Sequence, residues 1–149
     1  MTDYSLIVQQ TQALAEISPD RIAVMANVSA LLYQAMEGVN WAGFYLVKDG
    51  ALLLGPFQGK VACVKIAKGR GVCGTAWAED CVRVVDDVHA FAGHIACDSA
   101  SRSEIVVPIH KDGAVIAVLD IDSPRLSRFG KDDAAGLTAL AAALERCID

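Results

Sequence analysis

Apolar positions along the 149-residue chain change period twice, and that change outlines the fold. Near the start, residues 4–16 form a plausible helix. A stronger one opens at Ser18-Pro19, where Ser suits an N-cap and Pro the first helical position. It carries Ile22, Met25, Val28 or Ser29, Leu32 and Met36 on one stripe, a helical period. The closing stretch, about 131–147, sets Leu137, Leu140, Ala141, Leu144 and Ile148 on one side in the same way. Between these ends the pattern reads as strands near 41–47, 51–55, 60–66, 82–85, 104–110 and 114–121, with hairpin signals at Asp49-Gly50 and Asp112-Gly113. A short helical piece near 72–79 and a long segment over 86–103 interrupt them. Helices at both chain ends around a hairpin-rich middle predict an α+β fold: a mainly antiparallel sheet with the terminal helices on one face.

Alternation assigns faces. Trp41, Gly43, Tyr45 and Val47 share one side of their strand, and Ala42, Phe44 and Leu46 share the other, helix-packed side. Two aromatics about 13 Å apart along the strand, with a glycine between them, predict ring-walled space over the sheet. In the strand expected at 60–66, Ala62, Val64 and Ile66 read as helix-facing, and Cys63 falls with Val61 and Lys65 on the side of Trp41. Along 114–122 the apolar residues are Val115, Ala117, Leu119 and Ile121, which leaves Asp120 and Asp122 together on the opposite face. Whether Glu104 joins them depends on register. A two-residue Asp112-Gly113 turn pairs Ile105 with Asp120. A three-residue loop from Lys111 to Gly113 pairs Glu104 with Asp120 and gathers three carboxylates. Such a cluster repels itself unless it binds a cation or keeps a proton, so it marks a candidate site.

Composition narrows the class. A chain of this length forms one domain, 1–149, and buries about 70% of its unfolded surface without needing a staple. Apolar residues make up 54% and charged ones 21%, a globular balance. No apolar run is long enough for a bilayer, and Asp3 with no basic stretch before an apolar run does not read as a secretory signal. A net charge of −5 disfavours nucleic acid, and the one basic run, Lys60, Lys65, Lys68 and Arg70, reads as a solvated face. The expectation is a cytoplasmic protein with no membrane or nucleic-acid partner. The sequence allows a homodimer without requiring one. Five cysteines, at 63, 73, 81, 97 and 147, are an odd number in such a chain, which points to catalytic, redox or buried thiols rather than a disulfide framework.

Gly69-Arg70-Gly71-Val72-Cys73-Gly74 spells G-x-G-x-x-G with Asp86-Asp87 downstream, close to the dinucleotide fingerprint. Only residues 72–80 separate the flanking strands, too few for a parallel crossover, and no alternating β and α units follow. These glycines are expected to set a tight turn whose amides face a carboxylate or phosphate. His94 and Cys97 have the spacing of two zinc ligands, but no CxxC pair accompanies them, so neither a metal nor another cofactor is expected.

Several motifs taken together resemble the free methionine-R-sulfoxide reductases. They are Asn40-Trp41-Ala42-Gly43-Phe44-Tyr45, Gly55-Pro56-Phe57-Gln58-Gly59-Lys60, the 69–74 glycine run, His94-Ile95-Ala96-Cys97-Asp98, Ser103-Glu104-Ile105-Val106 and Leu119-Asp120-Ile121-Asp122-Ser123. The likeness covers most of the chain from about Ser18. It implies a GAF-like domain, free methionine-R-sulfoxide as substrate and thioredoxin as reductant. By the same resemblance Cys97 is the nucleophile that becomes a sulfenic acid, Cys63 resolves it, and Cys73 is a third redox cysteine. Trp41 and Tyr45 then surround the substrate's methyl group, and Glu104, Asp120 and Asp122 hold its polar groups. Thiolate attack on a sulfoxide sulfur expels oxygen, so a carboxylic acid with a raised pKa, Glu104 or Asp122, is the expected proton source. Closure of the 86–103 segment over the pocket explains a preference for the free amino acid, whose ammonium faces buried carboxylates. The competing reading is a GAF module that senses a small ligand or redox state without turnover.

Overall fold

The computed structural model describes residues 1–95 and 100–149. Helix α1 (Tyr4–Ile17) is capped by Asp3, whose carboxylate accepts from the Leu6 amide at 3.0 Å. Helix α2 (Arg21–Ala35) starts later than the Ser-Pro signal implied: Asp20 is the N-cap and accepts from the Ala23 amide at 3.0 Å, while Ser18 closes α1. Two capping side chains two residues apart compete there, and the carboxylate next to the helix wins. The strands are β1 (Trp41–Lys48), β2 (Ala51–Gly59), β3 (Lys65–Ala67), β4 (Arg83–Val85), β5 (Ser103–Lys111) and β6 (Ala114–Ser123). Helix α3 (Gly71–Glu79) lies between β3 and β4, and helix α4 (Lys131–Cys147) closes the chain. They form one six-stranded sheet in the order β3-β2-β1-β6-β5-β4, every neighbouring pair antiparallel.

Helices α2 and α4 pack on one face of the sheet, and α1 packs across them on the same side, as the α+β reading predicted. Ala42, Phe44, Ile105, Leu119 and Ile121 meet Met25, Leu32, Leu137, Leu140 and Leu144 there, all fully buried. Ile22, the first residue of the α2 stripe, is instead 48% exposed, and Val24 is buried. The opposite face carries a second apolar cluster. Trp41, Tyr45, Leu52, Val106 and Val118 pack under Val72, Cys73, Ala76 and Trp77 of α3. Because β3 and β4 lie at opposite edges of the sheet, the connection from β3 through α3 to β4 crosses that face from edge to edge. The glycine run therefore serves an antiparallel sheet and no dinucleotide crossover. Gly71 has a φ of 62°, and a Cβ on Gly74 would stand 2.6 Å from the Ala67 carbonyl oxygen. Among the described residues, no helix is long and apolar enough to cross a membrane.

Two expectations fail at irregularities. The first is the strand expected over 60–66. Strand β2 runs on to Gly59, bulged opposite Phe44 by Gly55-Pro56, and β3 is only three residues long. Residues 60–64 are a loop, so alternation does not apply. Ile66, read as helix-facing, is buried in the second cluster beside Trp41 and Tyr45, and Ala62 packs there with Cys63. The second is the register of the last hairpin, where neither alternative holds alone. The two-residue turn is present, with Lys111 opposite Ala114 and both Asp112 and Gly113 at positive φ, the type I′ geometry. A β-bulge then leaves Ile116 unpaired, so Ile109 faces Ala117 and Glu104 faces Asp122. The extra residue restores the parity of the three-residue loop. Val115 consequently lies with the second cluster and Ile116 with the first.

Candidate active site

The bulge has a chemical consequence: Glu104 opposite Asp122, and Val106 opposite Asp120, put three carboxylates on the α3 side of the sheet. Glu104 and Asp120 are buried, at 7% and 5% exposure, and Asp122 is half-buried. Cys73, in the first turn of α3, lowers its thiol into the same cluster, with Sγ 3.8 Å from Glu104 Oε2. One Asp120 oxygen, Oδ1, is buried with no hydrogen-bond partner among the described residues. Ligand atoms of Cys73, Glu104 and Asp120 lie within 4.8 Å of one another, close enough to share a cation.

Charge on this cluster is costly. Burial, then the neighbouring Asp120, pushes the Glu104 carboxyl well above the usual carboxylate range. Burial, then Asp122, does the same to Asp120. The Cys73 thiol rises through burial and through Asp120, Glu104 and Asp122, so it stays protonated. The site holds protons in the absence of a positive partner, the condition expected of a cluster built to receive one.

The aromatic wall is tighter than predicted. Trp41 and Tyr45 lean together to a centroid separation of 5.9 Å, and Phe57 stacks on Trp41 at 5.2 Å. Phe57 takes the room above Gly43: a Cβ there would lie 2.3 Å from the Phe57 Cβ. The expected space over that glycine is therefore filled, and the pocket opens beyond the rings toward α3 and the 60–64 loop. Both polar ring ends are used. Trp41 Nε1 donates to the Lys60 carbonyl at 3.1 Å and the Tyr45 hydroxyl to the Cys63 carbonyl at 3.0 Å. Burial, then Asp120, pushes the Tyr45 phenol up, so it remains a donor.

The pocket these groups enclose measures about 530 Å³ including its open mouth. Trp41 and Tyr45 wall one side, the three carboxylates and Cys73 form the floor, and Arg70, Gly71 and Val72 bring the N-terminus of α3. Among the described residues no side chain caps that helix end, so its first amides are open to the pocket. His94, Ile95 and Ser101 complete the lining, which brings the 86–103 segment to the pocket on both sides of residues 96–99. Burial, then His89, lowers the His94 pKa. Cys63 is disulfide-bonded, whereas Cys73, Cys81 and Cys147 are free thiols. Cys97, the expected nucleophile, lies outside the described residues.

A GAF domain model matches residues 9–148. The chain is 56% identical to Escherichia coli free methionine-R-sulfoxide reductase over 127 residues, covering 85% of this chain and 77% of that protein. It belongs to the free methionine-R-sulfoxide reductase family. The fold agrees: the reduced form of Staphylococcus aureus fRMsr superposes with a TM-score of 0.96 at 49% identity, covering 100% of this chain and 97% of the other. A free methionine-R-sulfoxide reductase from Neisseria meningitidis, solved in complex with its substrate, gives a TM-score of 0.92 at 48% identity over 96% and 86% of the two chains.

Of the residues the sequence singled out, Trp41, Tyr45, Cys73, Glu104, Asp120 and Asp122 converge on this pocket, and Cys63 packs against its apolar wall. Phe57, Arg70 and Ser101 were given no role by sequence. Phe57 carried a signal, an aromatic inside the Gly-Pro-Phe-Gln-Gly run opposite Gly43, whereas nothing local marks Arg70 or Ser101 as pocket residues.

Proposed function

We propose that this chain reduces free methionine-R-sulfoxide to methionine, with thioredoxin in the cytoplasm restoring its thiols. The observation that carries the reading is the buried Asp120 oxygen without a partner, set among three carboxylates and beside an aromatic wall. An α-ammonium supplies the missing positive charge, and an amide in its place leaves buried carboxylates unpaired, so peptide-bound substrate is rejected. The uncapped amides of α3 receive the α-carboxylate. Trp41 and Tyr45 enclose the methyl and sulfur end.

In this mechanism the Cys97 thiolate attacks the sulfoxide sulfur. Glu104, kept protonated by burial and by Asp120, delivers its proton to the departing oxygen. The hydroxyl then passes to Cys97 Sγ as the bond between Cys97 and the substrate sulfur breaks, which leaves a sulfenic acid on Cys97, free methionine and an ionised Glu104. The Cys63 thiol condenses with that sulfenic acid, forming a disulfide and releasing water. A dithiol then exchanges with the disulfide and returns both thiols. The disulfide already present at Cys63 fits the state between condensation and exchange. Cys73 serves as a third redox cysteine, silent while its thiol is held protonated.

The test is consumption of reduced thioredoxin with the free R epimer, set against the S epimer and an N-acylated R substrate. Turnover confined to the free R form and abolished by Cys97→Ser is the expected result. Tight binding of the free amino acid without turnover by fully reduced protein makes the chain a sensing module instead.

A further inference from the structure

Loop 60–64 carries the disulfide cysteine, and the backbone of the loop is fixed at three points. Trp41 Nε1 donates to the Lys60 carbonyl, the Tyr45 hydroxyl to the Cys63 carbonyl, and the Leu54 amide to the Val64 carbonyl at 2.9 Å. Cys63 is half-buried, yet two valines near it are exposed: Val61, at the rim of the pocket, is 88% exposed, and Val64, outside the pocket lining, is 67% exposed. Among the large apolar side chains of the described residues only Met1 is more exposed than Val61. A loop held this firmly has no need to show two valines to water unless something covers them.

Its charge is equally unusual for this molecule. The chain has a net charge of −5, yet no Asp or Glu occurs from Ala51 to Ala78, where Lys60, Lys65, Lys68 and Arg70 all lie. All four are exposed, and none forms an ion pair among the described residues. The result is a small apolar patch with a basic rim beside a disulfide. A small dithiol needs no such surface. A protein reductant does, because its sulfur must come within bonding distance while two folded surfaces meet.

We propose that loop 60–64 with Lys65 is the docking surface for a protein dithiol whose reactive thiol sits in an apolar patch with acidic surroundings, and that Cys63 Sγ is the sulfur it attacks. This rests on the reductase reading above and adds to it where the reductant binds. The reductant's thiolate bonds to Cys63 Sγ and breaks the existing S–S bond, and the thiolate released takes up a proton. The reductant's second thiol loses its proton and attacks the mixed disulfide. Cys63 leaves as thiolate and is protonated, and the reductant departs as a disulfide. Two electrons and two protons have entered the enzyme. Cys73, 4% exposed and protonated under α3, is shielded from such an approach.

Val64→Asp and Lys65→Glu test the surface without touching the pocket lining. Turnover is measured with thioredoxin and, separately, with dithiothreitol. Each variant is expected to raise the KM for thioredoxin about tenfold or more, with dithiothreitol-driven turnover and the KM for the sulfoxide at wild-type values. Added salt should raise the wild-type KM for thioredoxin and affect Lys65→Glu less. A thioredoxin lacking its second cysteine should be trapped on Cys63. Normal dithiothreitol turnover with an unchanged thioredoxin KM, or an adduct on another cysteine, overturns the docking proposal alone. No turnover by wild type with either reductant overturns the reductase reading beneath it.

Discussion

The Tyr45 hydroxyl donates to the Cys63 carbonyl at 3.0 Å, so the ring that walls the pocket also holds the backbone of the disulfide cysteine. Trp41 holds the same loop three residues earlier, through Nε1 and the Lys60 carbonyl. Substrate wall and redox loop are thus one mechanical unit. A glycine at 43 makes this feasible by letting Phe57 close behind the two rings.

Tyr45→Phe is accordingly expected to keep the fold and the ring wall but release the loop. Loss of one part-buried hydrogen bond costs about 1 kcal/mol, readable by urea denaturation. The larger effect should fall on disulfide formation after a single turnover, several-fold slower by rapid-quench thiol counting, with the KM for the sulfoxide little changed. An unchanged rate of disulfide formation would mean that the bond to Cys63 does not position it.

Period made the helix-packed half of the molecule legible from sequence, although the Ser18-Pro19 capping signal set the start of α2 too early. Leu137, Leu140, Ala141, Leu144 and Ile148 repeat every three or four residues, and all are buried. The pocket half was legible only where strands stay regular. Trp41 and Tyr45 were placed by alternation, but Ile66 was put on the wrong face because the chain leaves the sheet at Lys60 and rejoins it at Lys65. Asp120 and Asp122 were paired correctly, whereas Glu104 depended on the bulge at Ile116, which no residue type announces. A one-residue bulge inverts every downstream face, so the decisive fact about the site was a backbone irregularity invisible to periodicity.

Gly43→Ala should be among the most damaging small substitutions in the sheet. The added Cβ would meet the Phe57 Cβ at 2.3 Å and its Cα at 2.7 Å, so backbone as well as side chain must yield. Overpacking of this kind costs roughly 1–3 kcal/mol or more. Moving Phe57 also unstacks it from Trp41. Expected together are a lower melting temperature, altered tryptophan fluorescence and weaker sulfoxide binding. Wild-type fluorescence and affinity in a folded variant would contradict the packing argument.

His110 offers a pH test remote from the pocket. Its Nδ1 lies 2.9 Å from Glu145 Oε2 and its Nε2 2.6 Å from Asp80 Oδ1, so both nitrogens face acceptors and the imidazolium satisfies both. Burial alone would lower its pKa, but hydrogen bonds to Glu145 and Asp80 outweigh it and raise the pKa above 6.5. A raised histidine pKa gives stability fully present below pH 6.5 and lost as pH rises through the folded value. The pair is partly solvated, so the effect should stay below about 1 kcal/mol. Thermal melts should show wild type losing stability above pH 6.5 relative to His110→Gln, with sulfoxide turnover equal in both. Parallel melting curves across that range would remove the clamp.

Asp120→Asn separates the cost of the site from its use. Burial, then Asp122, raises the Asp120 pKa above its ordinary 3.8, and burial with Asp120 raises Glu104 above 4.5. For an acid so shifted, folded stability is fully present below the ordinary value and is lost as pH rises through the folded one, because the native state disfavours the charge. The substrate-free wild-type protein should therefore lose stability from about pH 4 upward. The amide is neutral at every pH without having to take up a proton and can donate to Glu104, so the variant should be roughly 1–3 kcal/mol more stable than wild type at pH 7, with a flatter pH profile. It should also bind the free amino acid at least about a hundredfold more weakly, since the ammonium loses its buried counter-charge. Denaturation across pH with and without methionine sulfoxide reads both effects. Stabilisation by ligand should be large in wild type and nearly absent in the variant. A variant less stable than wild type at pH 7 in the absence of substrate would show that Asp120 is structural, and the cluster would then need another explanation than a cation waiting to be bound.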